Sequence, residues 1–341
     1  MAKARAIVKR RKSVRNIRKI TKTMQMIATA KFQKSVKRAI GGKPYTLKVH
    51  EIVGDLVLNV EDFRHPLLER PEGHVPARKV AVIVISSNRG LAGAYNGSIL
   101  RKAIAAIRDL EKSGNQVDIY SAGKKGASFF AFQKRQMVMR LDQFVDQPKF
   151  SEIGPLADQM IQRYINGEVD AVHVAYTDFI STGVQRPAFI RLLPLDGVAH
   201  SSQHLMREMT ENSEAFDRVG QKAGVAVEVA QQEGRLAQMG GVWKSDAEHA
   251  HVAGGTLYDF SPSAKELLDE LLPLTVRLTL YQCFLDAASS ENVARMVSMK
   301  SATDNADKMI KSLTMQYNRA RQSQITTELS EIMGGVEAMK S

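Results

Sequence analysis

Residues 289–333 read SSENVARMVSMKSATDNADKMIKSLTMQYNRARQSQITTELSEIM and contain neither proline nor glycine. Small or apolar residues recur along this stretch at alternating steps of three and four, which is the heptad spacing of a coiled coil. These positions are Met296, Met299, Thr303, Ala306, Ile310, Leu313, Tyr317, Ala320 and Gln324, followed after a one-residue shift near Arg321 by Ile325, Leu329, Ile332 and Val336. We call this series the C-terminal seam, and it predicts a long helix with a partner helix along one stripe.

The partner helix is predicted at the other end of the chain, where residues 3–40 repeat apolar side chains with a period of about 3.5. The positions near one stripe are Ile7, Val14, Ile17, Met24 and Ala28, with Ile20 and Ile27 beside them. Two such patterns favour a coiled coil of the N- and C-terminal helices over a basic helix packed on one globular domain. Gly41 to Pro44 predict a kink or break, after which the pattern resumes to about residue 60.

The positive charge of the chain is concentrated at its start. The net charge is +12, yet residues 1–48 alone hold 16 Lys and Arg and no Asp or Glu. The other 293 residues therefore carry 32 basic side chains against 36 acidic ones. This distribution predicts an acidic partner for the first segment, either a polyanion or a protein.

Between the two ends, strand and helix patterns alternate, which predicts a Rossmann-like α/β domain with a mostly parallel sheet. Strands are predicted at 79–86, 116–120, 137–141, 169–176 and 186–195, and helices at 96–112, 127–133 and 151–165, the last capped by Ser151. The predicted domains are an N-terminal coiled-coil helix (1–60), the α/β domain (61–195), a partly ordered insertion with a possible β-hairpin (196–257), and a C-terminal coiled-coil helix (258–341). Pro273 is expected to separate a short helix from the long one.

Candidate chemical sites are few. The turn 87–96 lies where nucleotide folds hold phosphate, but it matches neither the Walker A nor the GxGxxG pattern, and Lys124 and Lys125 in a similar turn add little. Four histidines of the insertion could bind zinc but read more simply as solvated: His200, His204, His249 and His251. We find no grouping of nucleophile, base and orienting residue. No catalytic, cofactor-binding or metal site is therefore predicted.

Two other functional classes remain open at this point: a nucleotide-binding α/β enzyme with helical arms, and a nucleic-acid-binding coiled-coil protein. The basic segment contains one aromatic residue, Phe32, and no recognised nucleic-acid motif. The chain has no apolar run near the about 20 residues needed to span a bilayer and no signal peptide. Its one cysteine, Cys283, excludes an intramolecular disulfide and a zinc site made of cysteines.

Four stretches resemble signatures of the gamma subunit family of F-type ATP synthases. They are RKITKTMQM at 18–26 with Ala30 and Lys31, SSNRGLAGAYN at 86–96, the run from ARM at 294–296 through ATDNA at 302–306, and the run from YNRARQ at 317–322 through ITTEL at 325–329. The resemblance covers nearly the whole chain except 196–257. Thr23 stands where alanine is common in the family. Photosynthetic members carry a regulatory dithiol insert at the insertion point, but this insertion has no cysteine, so thiol switching is excluded.

The resemblance implies a rotary shaft without an active site or cofactor of its own. In the family, the two terminal helices form an antiparallel coiled coil inside a ring of alternating catalytic and non-catalytic subunits. The α/β domain of the family lies against the epsilon subunit and the membrane rotor ring. It further implies that Met24 lies near an acidic segment of a catalytic subunit, and that Arg321 and Gln322 reach a loop of one, with Thr326 nearby. The expected location is the cytoplasmic face of the cell membrane, held there only through the complex, with no nucleic acid bound.

Overall fold

The computed structural model describes residues 2–59, 65–68, 76–144, 147–195 and 264–339. The chain divides into two compact units. Unit 1 comprises Met1–Lys34, Arg89–Tyr95 and Glu291–Ser341, and unit 2 comprises Ser35–Asn88 and Asn96–Ser290. The insertion predicted at 196–257, with its four histidines and possible hairpin, lies outside the described residues.

Two long helices begin and end the described chain: α1 (Ala2–Asn59) and α5 (Ala264–Ala338). The break predicted at residues 41–44 is wrong, because α1 continues through them. Buried side chains flank that point on both sides, among them Ala39 and Val53, and tertiary packing of this kind can maintain a helix against poor local propensity.

The predicted separation at Pro273 is also wrong, because α5 runs through this proline without interruption. Leu268, Leu272 and Val276 are fully buried around it. Their burial stabilises the helical backbone where proline removes one amide donor.

Unit 2 is built on a five-stranded sheet in the order β3-β2-β1-β4-β5. The strands are β1 (Lys79–Ile85), β2 (Gln116–Ala122), β3 (Met139–Arg140), β4 (Ala171–Phe179) and β5 (Gln185–Leu193). The first four are mutually parallel and β5 pairs antiparallel with β4, so the predicted mostly parallel sheet is confirmed. β3 has only two residues, fewer than predicted.

Alternate residues of β1 enter two separate cores, as expected for a strand buried on both faces. Ala81, Ile83 and Ile85 pack with the residues of α1 and α5 in unit 2 and with α4 (Phe150–Ile165). Val80, Val82 and Val84 pack instead with α2 (Tyr95–Lys112) and α3 (Lys124–Phe132). The N-cap of α4 is Lys149, whose side chain makes no capping hydrogen bond, so the predicted cap at Ser151 is wrong by two residues.

A partly buried ionic cluster ties α4 to β2. The Arg163 guanidinium donates to Asp118 at 2.9 Å, to Glu168 at 2.9 Å and to the Tyr120 hydroxyl. Lys79 lies 3.3 Å from the same Asp118 carboxylate, which is only 8% exposed. Partial burial alone would lower the pKa of Arg163, but the hydrogen bonds to Asp118 and Glu168 outweigh it and raise that pKa.

Unit 1 contains the pairing of α1 with α5 that the two seams predict, in the antiparallel direction that the family resemblance implies. Its buried centre consists of Val14, Ala306 and Leu313, with Ile7 and Ile310 partly buried against them. Arg18 contacts Asp307 at 2.5 Å, and the Arg11 guanidinium carbon lies 5.1 Å from the Tyr317 ring centroid. Residue numbers thus fall along α1 as they rise along α5, which fixes the antiparallel direction.

One of the apolar residues predicted on the stripe of α1, Ile17, does not enter the interface, and a polar residue takes its place. Ile17 is 53% exposed, whereas Thr21 is buried. The Thr303 and Thr21 hydroxyl oxygens lie 2.8 Å apart, within hydrogen-bond distance across the interface. Each hydroxyl also lies near a carbonyl oxygen of its own helix, Met299 O at 2.8 Å for Thr303 and Arg18 O at 3.1 Å for Thr21. The apolar pattern predicted Ile17 at this position, because a sequence pattern does not show that a threonine hydroxyl will find a hydrogen-bond partner on the facing helix.

Replacing Arg163 by alanine is expected to lower the free energy of unfolding by about 3 kcal/mol, because the buried Asp118 carboxylate then keeps only Lys79. Chemical denaturation of the purified chain measures this loss. The matched control is Lys112→Ala, where an exposed lysine pairs with Asp109 and the change should stay within about 0.5 kcal/mol. A loss below about 1 kcal/mol for Arg163→Ala would show that Lys79 alone is enough to stabilise the buried Asp118 carboxylate.

The two threonines are expected to show coupling in a double-mutant cycle. Thr21→Val and Thr303→Val should each lower stability by about 0.5–1.5 kcal/mol, whereas the double substitution should be nearly neutral. Hydrogen exchange of α5 amides measures these free energies. Thr314→Val is the control, since that hydroxyl donates to Ile310 O of its own helix. Strictly additive losses would contradict a direct Thr21–Thr303 bond.

Candidate functional site

The C-terminal seam is covered by α1 only along part of its length. The Arg11–Tyr317 contact sets the register, so Ile325 lies opposite the first residues of α1, which begins at Ala2. Beyond Ile325, no residue of the described part of α1 lies opposite α5. Four large apolar side chains there are exposed: Ile325 (55%), Leu329 (58%), Ile332 (65%) and Met333 (65%). We call these four residues the α5 end stripe.

A second exposed apolar stripe lies on α1 beside the paired seam. Ile17, Ile20 and Ile27 are each more than half exposed, and Met24 between them is half-buried. Their spacing of three, four and three residues places all four on one face of the helix, and we call them the α1 flank. The face is surrounded by exposed cations, including those of Arg15, Lys19 and Lys22.

The residues singled out from the sequence fall on these two surfaces but not at one place. Arg321, Gln322 and Thr326 are exposed on adjoining turns of α5, and the Thr326 hydroxyl donates to Gln322 O at 3.0 Å. Met24 belongs to the α1 flank. The Thr21–Thr303 pair sets Met24 about twenty residues from Arg321 along the helix pair, which is roughly 30 Å at the helical rise. The structure therefore separates two candidate contact sites.

Of the two turns that could have held phosphate, the second one, around Lys124 and Lys125, is occupied by the chain itself. At the N-terminus of α3, the Lys124 amide donates to Asn88 Oδ1 (3.1 Å) and the Lys125 amide to Ser87 O (3.0 Å). The Gly126 amide donates to Ser86 Oγ (2.8 Å). These are the amides that a phosphate would require at a helix N-terminus. The arrangement favours a structural turn over a nucleotide site.

The glycine that opens α3 explains why this turn is so compact. Gly123 has φ of 90°, and a Cβ built on it would lie 2.3 Å from Ser86 O. Any other residue at this position would push α3 away from the end of β1 and break the bonds to its first amides.

Among the described residues, no group of three or more His, Cys, Asp or Glu side chains could hold a metal ion. Within that same part of the chain, no helix has the length and apolar character needed to cross a bilayer. Cys283 is buried, and burial together with the carboxylates of Asp286 and Asp178 raises the pKa of its thiol. This cysteine is accordingly an unreactive core residue.

Residues 3–339 match a family model described as ATP synthase. An ATP synthase gamma chain from Rhodopirellula baltica is 41% identical over 340 residues, covering the whole of both chains. Gamma chains from Leptospira biflexa and Legionella pneumophila are 34% and 31% identical over 339 residues, covering 99% of this chain and the whole of each relative.

Solved structures share the fold at low sequence identity. A rotor chain of the Euglena gracilis mitochondrial ATP synthase, in rotational state 1, has a TM-score of 0.53 at 13% identity and covers 95% of this chain and 99% of its own. A chain from the OSCP/F1/c-ring structure of the same enzyme, in rotational state 3, has a TM-score of 0.57 at 16% identity over 99% and 95% of the two chains. With matches along its whole length, this chain belongs to the ATP synthase gamma-chain family and is a non-catalytic subunit of the central stalk.

Proposed function

We propose that the helix pair of unit 1 is a rotating shaft enclosed by a ring of catalytic and non-catalytic ATP synthase subunits. The observation that carries this proposal is the α5 end stripe. Four large apolar side chains that are more than half exposed at one end of a helix indicate a surface that another protein covers. A ring that closes around the end of the shaft would cover this stripe on every side.

The two helices give the shaft unequal faces. The α1 flank combines apolar side chains with a dense set of cations, whereas α5 carries acidic residues such as Asp304 and Glu328 on its exposed surface. A ring subunit that meets the α1 flank is in a different environment from one that meets α5. Because a ligand shifts a conformational equilibrium only by binding its states unequally, this asymmetry lets rotation favour open and closed catalytic sites in turn.

The basic surface of α1 also defines what its partner should present. An acidic segment on a catalytic subunit would neutralise the cations around the α1 flank, and its apolar side chains would cover Met24 and the three isoleucines. Charge complementarity of this kind speeds association and fixes orientation more than it adds affinity. Met24, at the centre of the stripe, is the proposed contact.

Arg321, Gln322 and Thr326 form the second proposed contact, with a loop of a catalytic subunit. All three are exposed on α5 just before and within the first turn of the end stripe. The guanidinium can donate two parallel hydrogen bonds to a carboxylate, and the neighbouring amide and hydroxyl can complete a polar site. Their position beside a large apolar surface is typical of the polar rim of a protein interface.

Unit 2 is proposed to contact the epsilon subunit and the membrane rotor ring. Its sheet and helices surround two ordinary apolar cores, and the closed turn at α3 gives it no phosphate site there. A scaffold of this kind suits protein contacts better than cofactor chemistry. The shaft would then lie at the cytoplasmic face of the cell membrane, attached only through the complex.

Copurification tests the assembly directly. A tagged chain expressed in its own cells should bring down a ring of larger nucleotide-binding subunits together with epsilon and the rotor ring. The isolated chain should neither bind nor hydrolyse nucleotide. Recovery of the tagged chain alone, or with nucleic acid, would overturn the proposal.

Arg321→Ala is expected to lower coupled ATP turnover of the assembled complex about tenfold, because losing a charged contact of about 1.4 kcal/mol changes a rate by that factor. The melting temperature of the free subunit should hardly change, since Arg321 is exposed. Arg319→Ala, two residues away on the same helix and also exposed, is the control. Wild-type turnover in the Arg321 variant would contradict the proposed contact.

A further inference from the structure

We propose that Glu291 and Arg295 are positioning residues that fasten the β1–α2 loop, Arg89–Tyr95, to α5 and thereby couple rotation of the shaft to the α/β unit. This inference rests on the shaft function proposed above. Its starting observation is that the loop leaves unit 2 after Asn88, is part of unit 1, and re-enters unit 2 at Asn96.

The first two residues of the loop are held by one guanidinium group. Arg295 Nε lies 3.4 Å from Gly90 O, and Arg295 Nη2 lies 3.4 Å from Arg89 O. The same Nη2 donates to Glu291 Oε1 at 2.5 Å, one helical turn earlier. Glu291 therefore orients the guanidinium, and the guanidinium in turn meets two successive loop carbonyls.

Close packing supports the same attachment. A Cβ built on Gly93 would lie 3.9 Å from Ser298 Cβ and 4.0 Å from Ala294 O, so the loop backbone follows the surface of α5. Ala92 and Tyr95 are buried, at 2% and 5% exposed. The loop is consequently an ordered part of unit 1 over its whole length.

Both ends of the loop are tied into unit 2 by asparagine side chains. Asn88 Nδ2 donates to Asp142 O at 2.8 Å, and Asn88 Oδ1 accepts the Lys124 amide. Asn96 Oδ1 accepts the Ser87 amide at 3.0 Å, and Asn96 Nδ2 donates to Ser87 Oγ at 2.7 Å. A force applied to the loop through Arg295 would therefore reach the ends of β1 and α2 directly.

The burial of the ion pair argues that its role is position rather than stability. The side chains of Arg295 and Glu291 are only 11% and 4% exposed. A buried pair contributes little net stability compared with apolar side chains of the same volume, because both charges lose their hydration. What such a pair does provide is one preferred geometry, here for the loop carbonyls beside it.

The experiment uses two substitutions in the assembled complex. Arg295→Lys keeps a cation for Glu291 but lacks the planar fork that reaches the carbonyls. Glu291→Gln with Arg295→Gln removes both charges together, which avoids leaving one buried and unpaired. Lys300→Gln, at an exposed cation on the same helix, is the matched control.

Two readouts are measured: hydrogen exchange of the loop amides, and the ratio of gradient-driven ATP synthesis to ATP hydrolysis. We expect loop exchange to accelerate, hydrolysis to stay near wild type and the ratio to fall about two- to thirtyfold in both variants, with no change in the control. Unchanged loop exchange would show that the pair does not hold the loop.

Faster exchange with a wild-type ratio would show that the held loop does not transmit rotation. Either of these outcomes overturns the inference and leaves the proposed shaft intact. Failure of the wild-type chain to copurify with a ring would instead contradict the proposed shaft function itself. A global loss of protection across α5 in Arg295→Lys would also count against a positional role, since it would mark the pair as a stability element.

Discussion

The structure of unit 1 depends on pairing two helices along a seam that offers little apolar area. Ala306 and Thr303 on α5 are small or polar, and Thr21 faces them from α1. Small side chains let two helices approach closely, but they provide a weak hydrophobic driving force per turn. Direction and register therefore depend on a few specific contacts: the threonine pair, the Arg18–Asp307 bridge and the Arg11–Tyr317 contact. A thin seam with defined polar contacts gives a rod of one register.

Because the seam buries little apolar area, large apolar side chains remain exposed outside it. In a monomer these would be a liability, since exposed isoleucine and leucine promote association. In the shaft proposed above they form the contact surface. The α1 flank and the α5 end stripe differ in length, in charge and in position along the rod, so that the rod has no rotational symmetry. An asymmetric rod inside a ring of alternating subunits can favour a different conformation at each interface.

Residue patterns predicted the pairing of the terminal helices and the alternation of strands and helices along the chain, because heptad spacing and buried β-branched runs are local properties of the sequence. The failures came from tertiary context. Pro273 and the segment 41–44 are poor helix formers, yet their neighbours are buried in the core of unit 2 and the helices continue. Thr21 replaced Ile17 because a partner on a distant segment satisfies its hydroxyl. The contact between Arg295 and the loop at 89–95 could not be predicted from the sequence pattern either, since the two lie about two hundred residues apart in sequence.

The filled turn at the start of α3 has a consequence for how this subunit behaves in a cell. Enzymes with comparable sheets leave those amides open, and their stability then rises with the concentration of the nucleotide they bind. Here Ser86, Ser87 and Asn88 supply the acceptors from within the chain. The first amides of α3 are therefore not open to ATP, ADP or phosphate. A ligand that bound at this turn would first have to break the hydrogen bonds by which the chain closes it.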